Sequence, residues 1–222
     1  MGSSKCSIGN TIISSGVNIL VGSPSFNLPK SGELEFNVSF GPICSSKYDW
    51  GKSDEASVIE MLLGQIYSNS NVIDVEQLCI EPGKYAFKLE INLVCICNDG
   101  NVLDACILAA TAALRSIKIP AIQIVDNKLV VNKILPTSEL KLRCLPIPIT
   151  VGIFSNTFLF DPSSEEESYI DGKYTAVVSN KGDLICIQQN SEKMNIGLDQ
   201  YQKLLSICIN ECDKIKRELN WF

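Results

Sequence analysis

The sequence predicts an α+β fold made of two successive sheet-and-helix lobes. Three observations carry this: a long period-two stretch that runs straight into a small-residue helix (residues 84–114), a second group of alternating apolar segments between 147 and 189, and an amphipathic helix at 196–219. The 222 residues suffice for one large or two small cores, and 45% hydrophobic with 20% charged residues is a globular composition.

Taken in order, CSIGNTIISSGVNILVGSP (6–24) predicts two short strands meeting at Gly9-Asn10, and LEFNVSF (34–40) an alternating third. SDEASVIEMLLGQIYSNS (53–70) predicts a helix capped by Ser53 or Asp54, with acids in its first turn and Val58, Ile59, Met61, Leu62, Leu63 and Ile66 as its buried stripe. In KYAFKLEINLVCICN (84–98), Tyr85, Phe87, Leu89, Ile91 and Leu93 share one face, while Ala86, Val94 and Ile96 partly fill the other, as in a central strand. Asp99 and Gly100 supply turn chemistry. The helix that follows is apolar nearly all round, with Leu108, Ala109 and Ala112 expected to be buried.

The first lobe is assigned to residues 1–120, a connecting segment with a hairpin turning at Asp126-Asn127 to 121–145, and the second lobe to 146–222. In the second lobe IPITVGIFS, TFLFDP, YTAVVSN and GDLICIQQ are strands, with a hairpin signal at Asn180 to Asp183. The last helix presents Leu198, Tyr201, Leu204, Leu205, Cys208, Ile209, Cys212, Ile215 and Leu219 on one face, and KIKRELN reads as its polar side.

Seven of the ten cysteines (Cys6, Cys79, Cys95, Cys97, Cys106, Cys186 and Cys208) sit among apolar neighbours and read as free core thiols. Cys95 with Cys97 on one strand face, and Cys208 with Cys212 one helical turn apart, raise the alternative of zinc. There is no histidine and no CxxC pair, so neither a metal nor any other cofactor is expected. Without histidine, catalysis would fall to carboxylates, lysine or tyrosine. A net charge of −6 argues against an autonomous nucleic-acid binder, so RNA contact is expected to be local or shared with partners. No run has the length of a membrane span or the character of a signal peptide, so a soluble intracellular chain without membrane contact is expected.

The succession GPICSS, an acid-started helix, QLCIEPGK, a long strand, DGNVLDACILAATAAL, a proline-rich strand, DPSSEEE and a terminal helix resembles the RNase PH-like ring subunits of the eukaryotic RNA exosome. Within that family the likeness is greatest to the non-catalytic Opa-interacting protein two type, with CSSK, LCI-PGK and DGN-LDAC carrying most of it. The resemblance implies an RNase PH-like fold with two βα lobes, mixed sheets covered by helices. It further implies a place in a hetero-hexameric ring of RNase PH-like subunits beneath S1-type and KH-type cap subunits, with RNA passing through the assembled channel. The implied roles are rRNA maturation and mRNA turnover, in the nucleus, including the nucleolus, and in the cytoplasm. It implies also a segment of some tens of residues ahead of the first hairpin, which this sequence, starting almost at SSKCSIGNT, does not contain.

Active members of that family resemble DGGTRAACI at the 99–107 corner, where threonine and arginine hold the phosphate of a phosphorolytic reaction; here Val102 and Leu103 stand in their place. They also carry an aspartate just before a V-P-V-like strand, and aligned on IPIT this chain has Pro146. No catalytic residue is therefore expected, and the chain reads as a fold kept for assembly.

Asp104 reads as a first-turn residue serving the helix dipole and free N–H groups, with a catalytic acid as the alternative. Glu165, Glu166 and Glu167 read as a solvated loop or a contact to basic residues of a neighbour, with cation binding as the alternative. Lys47, beside Tyr48 and Trp50, and Arg143 are candidate RNA contacts; a packed surface loop is the plainer reading of Lys47. Three functions compete: a non-catalytic ring subunit, an active phosphate-dependent 3′-to-5′ exoribonuclease, and a metabolic enzyme on a similar fold. Self-association of the isolated chain is expected from the sheet edges and apolar surface that assembly would cover.

Overall fold

The computed structural model describes residues 2–41, 43–44, 53–69, 72–125, 128–131, 137–155, 157–190 and 197–219. In chain order the first lobe comprises β1 (Gly2–Ile8), β2 (Thr11–Gly22), β3 (Glu33–Phe40), α1 (Asp54–Asn69), a 3-10 turn (Val75–Leu78), β4 (Cys79–Glu81), β5 (Tyr85–Cys97) and α2 (Val102–Ser116). Short strands follow: β6 (Lys118–Ile119), β7 (Ile122–Val125), β8 (Lys128–Val131) and β9 (Ser138–Glu139). The second lobe has β10 (Pro146–Phe154), β11 (Thr157–Phe160), α3 (Ser164–Glu167), β12 (Gly172–Ser179), β13 (Leu184–Asn190) and α4 (Leu198–Glu218).

The first sheet runs β1-β2-β5-β3, with β4 also paired to β5. β5 is central, as its alternation predicts: antiparallel to β2, parallel to β3. Parallel neighbours need a crossover, and α1 lies on it. Phe87, Leu89, Ile91, Leu93 and Cys95 point into the core beneath α1 and α2, while Val94 and Ile96 face the open side. The edge of β3 is blunted where the Val38 N–H donates to the Glu60 carboxylate of α1 at 2.8 Å.

Ser53 is the cap of α1, accepting the Ala56 N–H at 3.1 Å. The expected stripe holds for Ile59, Leu62, Leu63 and Ile66 but not for Val58 and Met61, which are 50% and 55% exposed. Ala56 and Tyr67 complete the buried face. Tyr67 ties the helices together, its hydroxyl donating to the Ile107 carbonyl at 2.9 Å and lying 2.6 Å from the Thr111 hydroxyl. Burial holds that phenol above its usual range, ahead of the Thr111 hydrogen bond, which acts the other way. Ala109 and Leu108 are buried as expected and Ala112 is only half-buried. The corner of the β7–β8 hairpin, Asp126-Asn127, lies outside the described residues.

The second sheet runs β11-β10-β12-β13. Every β10 residue from Pro146 to Ile153 is buried, because the strand is covered on both sides. Ile147, Ile149, Val151 and Ile153 pack with Leu204, Cys208 and Cys212 of α4, whereas Thr150 faces α2. The expected seam of α4 is narrower than predicted, since Ile209 is exposed. Two prolines fit a central strand here for a local reason. The Thr150 carbonyl accepts the Asp161 N–H on the β11 side, so by alternation Pro146 and Pro148 face that same side, beyond the Val151–Phe154 stretch that β11 pairs. No ladder bond is lost. All ten cysteines are free thiols. Among the described residues no helix is long and apolar enough to cross a membrane.

Candidate functional site

The turn between β5 and α2 is fixed by close packing. The Asn98 carboxamide oxygen accepts the Gly100 N–H at 3.0 Å, an Asx-type turn. Gly100 has φ of +93°, and a Cβ there would lie 2.7 Å from backbone atoms of Pro162, Ser163 and Ser164, so only glycine fits. Thr11 clamps the turn to the β1–β2 hairpin, donating to the Gly100 carbonyl at 2.7 Å and accepting the Asp99 N–H at 2.9 Å. The Ser164 N–H donates to the Asp99 carbonyl at 2.9 Å, so the 161–168 segment of the second lobe seats directly on this corner.

The free N–H groups and positive dipole end of a helix N-terminus attract an anion. Here the anion is the protein's own. Glu167 Oε1 accepts the Asn101 N–H at 3.0 Å and the Lys173 ammonium at 2.8 Å. Both partners of that ion pair are about three-quarters buried. Val102 is buried and Leu103 half-buried in the wall of a cleft of about 540 Å³, beside Asn98, Lys173, Thr175, Gln188 and Asn190. The corner thus keeps a helix start and a lysine, but an internal carboxylate occupies them.

Asp104 departs from the expected role. Instead of serving free N–H groups at the surface, it is 4% exposed. Its Oδ1 accepts the Thr150 hydroxyl at 2.8 Å and its Oδ2 accepts the Asn101 carboxamide at 2.9 Å. Thr150 in turn lies 2.7 Å from the Thr175 hydroxyl. Burial pushes the Asp104 carboxyl up to about 6; the hydrogen bonds from Thr150 and Asn101 pull it back, Asp161 pushes it further up and Lys173 opposes that. The physical reason for the misreading is that α2 is covered here by β10, whose partner hydroxyl comes from 46 residues along the chain.

The acidic run is a short helix whose Glu165 and Glu166 are solvated as expected, while Glu167 turns inward. Ser163 and Glu166 form a capping box on α3, and the Ser163 N–H holds the Glu166 carboxyl below its usual range. Glu167 points inward to Lys173. Pro146 is not brought to the corner: it pairs with Ser179 and lies about 13 Å along β10 from Thr150, at roughly 3.3 Å per residue. Arg143 stands apart as well, 2.7 Å from the Asp74 carboxylate on a partly exposed surface. That guanidinium holds the Asp74 carboxyl below its usual range. Lys47 lies outside the described residues. Among the described residues no three Cys, Asp or Glu side chains are grouped to hold a metal ion. Sequence reasoning missed Asn101, Thr150, Lys173 and Thr175. For Thr150 and Thr175 the signal was a polar residue in an otherwise apolar strand, as Thr150 is within IPITVGI, whereas Asn101 lies in the polar turn NDGN.

Comparison with known proteins matches both lobes to one family. Residues 1–120 match the 3′ exoribonuclease family, domain 1, and residues 144–209 match domain 2 of the same family. The Exosome complex component Rrp42 of Methanothermobacter thermautotrophicus is 32% identical over 219 residues, covering 96% of this chain and 79% of that protein. Among solved structures, a chain of the Archaeoglobus fulgidus exosome with RNA bound to the active site superposes with a TM-score of 0.87 at 26% identity, covering 99% of this chain and 83% of that one. A chain of an archaeal exosome core gives 0.82 at 25% identity, covering 98% and 80%. Two lobes matched in order and a fold shared along nearly the whole length lead to one conclusion: the chain belongs to the 3′ exoribonuclease family and has the RNase PH-like fold.

Proposed function

We propose that this chain is a non-catalytic subunit of an exosome core ring, supporting 3′-to-5′ RNA processing and degradation without performing phosphorolysis itself. The observation that carries the reading is the Glu167 carboxylate seated on the Asn101 N–H and the Lys173 ammonium. A transition state that develops negative charge needs preorganised positive groups, and such electrostatic stabilisation is often the largest catalytic contribution. At this corner the donors already serve a carboxylate, and Val102 and Leu103 offer no replacement. The similarity to exosome components supports the ring assignment. The finer assignment, the Opa-interacting type of eukaryotic ring subunit, is supported by the CSSK, LCI-PGK and DGN-LDAC motifs, while the relatives named above are archaeal. Hetero-hexameric partners, S1-type and KH-type cap subunits, and a nuclear, nucleolar and cytoplasmic location belong to the same proposal.

Incubation of the purified chain with single-stranded RNA, phosphate and magnesium tests the reading: no nucleoside diphosphate is expected. Sustained release after rigorous removal of contaminating nuclease would instead identify an active phosphate-dependent exoribonuclease. For RNA binding, an acidic chain gains little from counterion release, so Lys47 and Arg143 are proposed to act with basic groups of neighbouring subunits. Salt-dependent affinities of the free chain and the reconstituted ring, each with and without Lys47→Ala and Arg143→Ala, check this. The ring should bind more tightly, and the substitutions should weaken the ring; equal binding by the free chain refutes the shared channel.

A further inference from the structure

Beside the cleft at Leu103, with Asn101 and Thr150 in the lining of both, a second groove of about 440 Å³ lies between α2, α4 and β10. Its walls are apolar, with Ile8, Leu108, Ile149 and Ile215 contributing from four different elements, and Phe160 borders it at 39% exposure. Its polar edge is acidic: Asp104, Asp161, Glu211 and Glu218 line it, and no lysine or arginine does so among the described residues.

The way these carboxylates are held points to the chemistry of the occupant. One neutral carboxamide, Asn101 Nδ2, donates to both Asp104 Oδ2 at 2.9 Å and Asp161 Oδ1 at 2.6 Å. The two carboxylates share this neutral donor, no lysine or arginine lines the groove among the described residues, and Lys173 acts on Asp104 only from outside it. The nearby cation, Lys173, is engaged by Glu167, and Lys214 pairs with Glu211 as an exposed pair one helical turn along α4. Each carboxylate oxygen can accept more than one hydrogen bond, so both aspartates retain acceptor capacity.

We propose that this groove is a docking surface for an arginine-bearing polypeptide segment. A guanidinium presents a planar fork of donors able to serve two neighbouring carboxylates, and its methylene stem is suited to a wall such as that formed by Leu108 and Ile215. A bare metal ion would leave the apolar wall uncovered, and the carboxylates are not grouped as metal ligands. Nucleic acid is excluded by its own charge. Leu108, Asp161, Ile215 and Glu218 do not line the Leu103 cleft, and the proposal stands whether or not the chain is catalytically inert.

The test uses the full chain with methyl-labelled isoleucine and leucine, titrated with the probe acetyl-Leu-Arg-Leu-Arg-Leu-amide and with its counterpart carrying citrulline for each arginine. Citrulline keeps the shape and loses the charge. The arginine peptide should shift the Leu108, Ile149 and Ile215 methyl resonances saturably, and the citrulline peptide should bind about tenfold more weakly. The double variant Asp161→Asn with Glu218→Gln should lose a similar factor, and both positions are exposed, with asparagine tolerant of the φ of +50° at 161. Equal affinity for the citrulline peptide, unchanged affinity in the double variant, or no saturable shift with the arginine peptide overturns the proposal. So does magnesium chloride alone producing the same shifts, which would make the groove an ion site.

Discussion

Asp104 and Glu167 are carboxylates a few residues from the same helix start, and their surroundings give them opposite tasks. Asp104 is buried among neutral donors, so ionisation is what the fold resists. Because its pKa is raised in the folded state to about 6 and is ordinary in the unfolded chain, its contribution to stability is fully present below about pH 4 and is lost as pH rises through about 6. The effect is on the order of 3 kcal/mol. Asp104→Asn keeps an acceptor for the Asn101 carboxamide and can donate to the Thr150 oxygen while that hydroxyl turns to Thr175, so it should flatten the loss of stability between these pH values and leave the protein no less stable at pH 7.5. Denaturant unfolding across the range checks it, and an unchanged pH slope in the variant would assign the titration to another group. Glu167, by contrast, works as an anion. Removing it as Glu167→Ala should free Asn101 N–H and Lys173 to take up inorganic phosphate with a Kd of roughly 1–10 mM, measurable by phosphorus NMR, where the parent takes up none. Leu103→Arg by itself should gain nothing, since the new guanidinium meets Glu167, whereas added to Glu167→Ala it should tighten phosphate about tenfold. If Leu103→Arg alone binds phosphate equally well, Glu167 does not hold the position.

At the scale of single elements, α2 is the most exacting piece of the fold. Ala109 has no exposed surface, and the Ser4 hydroxyl of β1 donates to its carbonyl at 2.7 Å, so the helix lies close upon the sheet. Ala109→Glu would bury an unpaired charge and should cost several kcal/mol, or on the order of 10 °C in thermal unfolding. A variant as stable as the parent would show that the helix does not lie on the sheet at this residue. The strands and long helices were legible because burial imposes its period on the chain: β5 alternates over thirteen residues and α2 is apolar all round. Val58 and Met61 were misread because hydrophobicity does not state which side of a helix is covered, and Val58 lines the Leu103 cleft instead of the core. The candidate site was half legible. The turn at Asp99-Gly100 and the loss of threonine and arginine chemistry at Val102 and Leu103 lie in one short segment. The partners Thr150 and Glu167 lie 46 and 66 positions beyond Asp104 and Asn101, Glu167 bringing Lys173 with it, and only lobe docking brings them there. Pro146, singled out from the sequence, instead lies away from the site along β10.

For the whole molecule, the decisive arrangement is that α2 of the first lobe lies against β10 of the second. α2 lies on β1, β2 and β5 and also against β10, and β10 faces α2 on one side and α4 on the other. The contact includes the buried hydrogen bond from the Thr150 hydroxyl to Asp104. A chain whose lobes opened independently would present a different outline at each opening. Here a helix of one lobe lies against a strand of the other, so neither lobe opens without uncovering a buried hydrogen bond of both. The amides of α2 should therefore exchange with solvent only when the entire chain opens, at one common rate with those of β5 and β10, while α1 and the β7–β8 hairpin exchange through smaller local openings. Assembly then begins from a folding unit that is either whole or absent, with no half-formed subunit available to join the wrong neighbour.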